Sequence, residues 1–144
     1  MYRNYNGKGA MFGDTSISAG TSDATDTSIY ASLDSKDPSH MVVIAINKTA
    51  DAITVNINLD HTRTFDQAQV YQLTSGAANP VFAGDVAITN PAFFTYTMPA
   101  YSVSTLNLVA APELDSGLIA AIALLAAAIL LGPRILRRRQ LGEM

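Results

Sequence analysis

The sequence has no cysteine and no tryptophan in 144 residues, and only two histidines, His40 and His61. Without cysteine there is no disulfide framework, no Cys-ligated zinc, no iron–sulfur cluster and no thiol nucleophile. Two histidines outside a His-x-x-x-His spacing leave too few parts for most metal centres and catalytic triads, and each reads as a turn residue. Glutamate is nearly as scarce: Glu113 and Glu143 are the only two, and both flank the one long apolar run. Positive charge is thin over most of the chain. Residues 1–115 carry Arg3, Lys8, Lys36, Lys48 and Arg63 against eleven acids, a net of −6, whereas residues 116–144 carry four arginines against one glutamate, a net of +3. An acidic body with a short basic tail excludes nucleic acid as a partner, because that function needs a basic patch on the folded part.

Helical periodicity is also missing before residue 116. What is there instead is period two. Ile53, Val55, Ile57 and Leu59 alternate with Thr54, Asn56, Asn58 and Asp60, the pattern of a strand with one buried and one wet face. Met41–Ile46 is continuously apolar and reads as a central strand covered on both sides. The intervening Asn47-Lys48-Thr49-Ala50-Asp51 reads as a hairpin connection between these two strands. Further strands are expected at 28–33, 68–74, 86–88, 93–98 and 102–109. Turn signals separate them at Asp34–Pro38, Ser75–Pro80 and Asn90-Pro91. The expected fold is therefore all-β: an antiparallel β-sandwich of about seven or eight strands, followed by one C-terminal transmembrane helix.

That helix rests on the 18 uncharged residues from Ser116 to Pro133, rich in Leu, Ile and Ala. The run is just long enough to span a bilayer if Arg134 snorkels to the interface. The Arg137-Arg138-Arg139 cluster beside it predicts a cytoplasmic tail and a body outside the cytoplasm. Met1–Asn6 offers no apolar signal sequence, so the expectation is that this chain is the C-terminal piece of a longer exported protein. The organisation read from the sequence is a loop or edge segment at 1–27, a sandwich at 28–109, a linker at 110–116, a transmembrane helix at 117–136 and a basic tail at 137–144.

Candidate sites are few. Asn6-Gly7-Lys8-Gly9 lacks the strand, helix and Ser/Thr context of a phosphate loop and reads as turn glycines. Asp14, Asp23, Asp26, Asp34 and Asp37 follow no calcium-loop spacing and read as solvated turns. A glycosidase needs two facing carboxylates, and nothing in the body supplies a rigid pair. Tyr30, Tyr71, Tyr96 and Tyr101 lie in or beside expected strands, where core packing is the default. Asn47-Lys48-Thr49 matches a glycosylation sequon, in a context that reads bacterial. No cofactor and no metal site is implied.

Two stretches carry a family resemblance. Tyr2-Arg3-Asn4-Tyr5-Asn6-Gly7-Lys8-Gly9 and Phe12-Gly13-Asp14-Thr15-Ser16 resemble the segment that follows the catalytic barrel in glycoside hydrolase family 44. Ile29–Ser32, Val43–Lys48, Val70–Leu73 and Met98–Leu106 fit as well, so the likeness spans about residues 2–109. The resemblance implies a parent enzyme of the endo-β-glucanase type, acting on cellulose, xyloglucan and related glucans with retention. It implies a barrel bearing both catalytic glutamates, with a sandwich packed against it. The barrel is missing here, so no catalytic residue transfers and this chain alone is expected to be no enzyme. Tyr2, Arg3, Asn4, Tyr5, Phe12 and Asp14 are the implied contacts with that barrel. The tail resembles a bacterial Pro-Glu-Pro sorting signal through Pro112, Glu113, the apolar run and Arg137, Arg138 and Arg139, with Leu114 where the pattern has its second proline. It implies either a sorting protease as partner or a plain anchor in the lipid bilayer. Two alternatives stand beside this reading: a surface carbohydrate-binding or adhesion module with a row of exposed tyrosines for β-glucan, and a tail-anchored scaffold with its body in the cytoplasm.

Overall fold

Eight strands follow one another in the computed structural model, which describes residues 1–110. They are β1 Thr15–Ile17, β2 Thr27–Asp34, β3 Asp37–Asn47, β4 Ile53–Asn58, β5 Phe65–Leu73, β6 Val81–Ala87, β7 Phe93–Met98 and β8 Ser102–Ala110. All pairings are antiparallel. A six-stranded sheet runs in the order β1-β2-β3-β8-β5-β6, and β4 and β7 pair into a second, two-stranded sheet.

The core lies between the two sheets. Met41, Val43 and Ala45 of β3, Ala68 and Val70 of β5, and Leu106 and Leu108 of β8 meet Ile57 of β4 and Phe94, Tyr96 and Met98 of β7. Alternation in β4 and β7 sends Thr54, Asn56, Asn58, Thr95 and Thr97 outward, where Thr54 bonds Thr97 at 2.8 Å and Thr95 donates to Asn56 at 3.0 Å. β3 is covered on both faces, as its unbroken apolar run predicts: Val42 and Ile44 are also buried, on the face away from the core.

Three sequence expectations need correction. Asn47–Asp51 does not close a hairpin: β3 pairs with β2 and β8, β4 pairs with β7, and the segment steps from one sheet to the other. The buried Asn47 side chain organises that step. Its Nδ2 donates to Asp51 O at 2.7 Å and Pro99 O at 2.8 Å, while Oδ1 accepts Thr49 N at 2.9 Å. Bonded in this way, Asn47 is no sugar acceptor. The Asp34–Pro38 turn is in fact only Ser35-Lys36, with Asp37 opening β3. Finally, the strand expected at Val86–Ile88 is the end of the longer β6, which stops at Ala87 and whose start is hidden by Gly84. There φ is +109° and the register slips, leaving Ala83 unpaired between Val70↔Gly84 and Tyr71↔Phe82.

Among the described residues no helix is long and apolar enough to cross a membrane. The expected linker from 111 onward, the helix at 117–136, the basic tail, and Pro112, Glu113, Arg137, Arg138 and Arg139 all lie outside the described residues.

Candidate functional site

The face of the six-stranded sheet that points away from the core carries one register row: Tyr30, Ile44, Thr105, Tyr71 and Phe82, from β2, β3, β8, β5 and β6. Residues directly opposite in an antiparallel pair share a face, so these side chains form a stripe across five strands. Its middle is occupied. Tyr5 lies over Tyr71 with ring centroids 5.3 Å apart, and Tyr71 meets Phe82 at 5.4 Å. Tyr5 is 1% exposed, and its hydroxyl donates to Asn107 Oδ1 at 3.1 Å. Asn107 Nδ2 in turn donates to Gln69 Oε1 at 3.1 Å. Burial, with a smaller contribution from neighbouring Tyr71, pushes the Tyr5 phenol up to about 12.

The segment that delivers Tyr5 is a compact loop built from its asparagines and glycines. Asn6 Oδ1 accepts the amides of Lys8 and Ala10 at 2.8 and 3.0 Å, and Asn4 Oδ1 accepts that of Gly9 at 2.7 Å. Gly7 and Gly9 take φ of +71° and +91°, the conformation that glycine adopts without steric cost. The Asn-Gly-Lys-Gly motif is thus a turn. The strand leaving the loop crosses close to β2: Gly13 N donates to Ser32 Oγ at 2.7 Å, and a Cβ on Gly13 would collide with the Leu33 carbonyl.

The six residues that the sequence singles out here fall into two groups. Tyr5 and Asp14 make their contacts within this chain. Asp14 accepts Ser35 N at 2.9 Å and Ser35 Oγ at 2.6 Å, bonds that hold its carboxyl below the usual carboxylate range. Tyr2, Arg3 and Asn4 are exposed, and Phe12 packs edge-on against Tyr2 with centroids 5.2 Å apart. Tyr2, Met11, Tyr30 and Phe82, each about half exposed, leave large apolar surface on or beside this face. Met11, Tyr30 and Phe82 were not picked out as contacts, because only the sheet register and the path of the first loop bring them to the same side. Of the four tyrosines expected to pack in the core, only Tyr96 is buried there; Tyr71 is covered by Tyr5 on the outward face, and Tyr30 and Tyr101 are exposed, with only Tyr30 of these two in the aromatic row.

No acid pair is poised for hydrolysis among the described residues. Asp14, Asp23, Asp34 and Asp37 serve as acceptors for turn amides and hydroxyls at Ser35, Thr25, Lys36 and Ser39. The Ser39 hydroxyl and amide lower the Asp37 carboxyl, opposed by desolvation, with His40 and Arg63 lowering it further. A general acid needs the opposite shift. Nor does any group of three His or acidic residues come together to hold a metal among the described residues.

No family model matches the sequence. The chain is 32% identical over 103 residues to the beta-mannanase/endoglucanase A of Caldicellulosiruptor saccharolyticus, an alignment covering 71% of this chain and 8% of that protein. Among solved structures it is similar to a glycoside hydrolase family 44 endoglucanase from Clostridium thermocellum, at 34% identity and a TM-score of 0.71 over 74% of this chain and 21% of that one. It is equally similar to a family 44 xyloglucanase from Paenibacillus polymyxa, at 30% identity and a TM-score of 0.73, covering 76% and 22%. The chain thus spans about a fifth or less of the length of these relatives.

Proposed function

We propose that this chain is the accessory β-sandwich of a glucan-degrading glycoside hydrolase, and that the chemistry belongs to a catalytic barrel elsewhere in the same polypeptide. One observation carries the reading: the similarity takes in the sandwich, yet accounts for only about a fifth of each solved enzyme. The described residues agree with a non-catalytic role. They hold no glutamate, and Asp14 and Asp37 have their carboxyls shifted down, unsuited to protonating a leaving group at neutral pH.

In this proposal the outward face of the six-stranded sheet seats the barrel. Tyr2, Met11, Tyr30 and Phe82 supply apolar contact, and Arg3 and Lys8 bring positive charge to an otherwise acidic body. The apolar run and the Arg137–Arg139 cluster would fix the protein in a bacterial membrane with the sandwich outside the cytoplasm, either permanently or until a sorting protease acts near Pro112-Glu113. The sandwich would then set the distance between barrel and bilayer. Protease digestion of spheroplasts checks the orientation: residues 1–110 should be degraded without lysis.

The functional test is hydrolysis by the full chain. Xyloglucan and cellulose should yield no reducing ends above the blank with this chain alone. Sustained turnover would overturn the non-catalytic reading, and tight binding of β-glucan by the chain would favour a carbohydrate-binding module instead.

A further inference from the structure

The two layers are unequal. Two strands make a sheet about 10 Å wide, set against six strands about 29 Å wide, so part of the inner face goes uncovered. The shortfall is visible beside β4. β4 is bonded to β7 on one side only. Along its other side run two clefts of about 400 and 230 Å³, both lined by Asn56, Ile57, Asn58, Ile29 and Gly20. Ile17 and Ile29 on the β1–β2 side, and Ile53 and Val55 on β4, reach only partial burial. Phe94, Tyr96 and Met98 of neighbouring β7 are all under 7% exposed.

The β4 edge also lacks what normally blocks strand addition. At the ends of the large sheet, β1 has three residues and β6 is broken by the Gly84 bulge. β4 has six residues in unbroken register from Ile53↔Met98 to Asn58↔Phe93, with no proline and no lysine. Its cleft walls hold a single charged side chain, Asp60 at one end.

We infer that this edge accepts one further strand of about six residues, with alternate apolar side chains resting on Ile29 and Ala31. The strand comes from the part of the parent polypeptide that lies outside this chain. That source rests on the accessory-sandwich reading, in which most of the enzyme's length is elsewhere. A second copy of this chain is a poor occupant, because its β4 carries its own six-stranded sheet into the space where β1 and β2 already overhang the edge.

Amide hydrogen exchange of the full chain in detergent micelles tests the pairing edge, followed by mass spectrometry. The probe is a synthetic heptapeptide of alternating valine and threonine, with a control carrying proline at its centre. The peptide should slow exchange of residues 53–58 by about ten-fold or more in a saturable way, and the proline control should not. Ile29→Lys should abolish the effect while β3 and β8 keep their protection, separating a lost site from a lost fold. The inference is overturned if β4 amides are as protected as those of β3 before any peptide is added, or if β1 or β6 gains equal protection. Intact peptide protection with no barrel encoded upstream would overturn the accessory reading and the source of the strand, while leaving the pairing edge in place.

Discussion

Thr105 holds a hydroxyl in the middle of the outward sheet face, between Ile44 and Tyr71, fully buried and without a hydrogen-bond partner. An unpaired buried hydroxyl costs on the order of 1 kcal/mol or more, and valine has nearly the same shape. Thr105→Val should therefore raise stability by about 1 kcal/mol in a urea titration. Tyr5, whose ring lies over Tyr71, the register partner of Thr105, gives a pH signature. Its phenol is raised from 10.0 to about 12, so the unfolded chain releases that proton first as pH rises. The contribution is complete below pH 10 and is lost between 10 and about 12. Thermal melts across that window should show Tm falling with pH, and Tyr5→Phe should flatten the slope.

At the scale of elements, two joints hold pieces that sequence periodicity treats as separate. Gly13 lets the first segment pass against the β2 backbone, and alanine there would strike the Leu33 carbonyl. Gly13→Ala should cost about 2–4 kcal/mol and release the amides of residues 1–17 to fast exchange while β3 and β8 stay protected. Asn47→Ala would strip partners from the Asp51 and Pro99 carbonyls and the Thr49 amide together, lowering stability by about 2–3 kcal/mol by denaturant titration. These joints also mark how far the sequence could be read. Strands β4 and β7 announce themselves by clean alternation, and β3 by an apolar run that two covered faces require. The partner of each strand was not legible. Asn47-Lys48-Thr49-Ala50-Asp51 has hairpin composition, yet its asparagine uses its amide to bridge two turns far apart in sequence. The covering role of Tyr5 was hidden for a similar reason: its bond to Asn107 spans 102 positions. At Gly84 a bulge interrupts the period, which is why only the end of β6 was apparent.

For the molecule as a whole, the described residues form an all-β body with an uneven second layer and an aromatic outer face, without a carboxylate pair suited to glycoside cleavage. The similarity to family 44 enzymes falls on that body and on about a fifth of their length. The function proposed above would put the catalytic centre in another part of the same polypeptide, docked on the outer face, with the tail holding the protein outside the cytoplasm. Its most direct test is the nucleotide sequence upstream of the Met1 codon. The account predicts a continuous reading frame that encodes an export signal and then a barrel with two catalytic glutamates. An in-frame stop codon followed by a ribosome-binding site immediately before Met1 would contradict it.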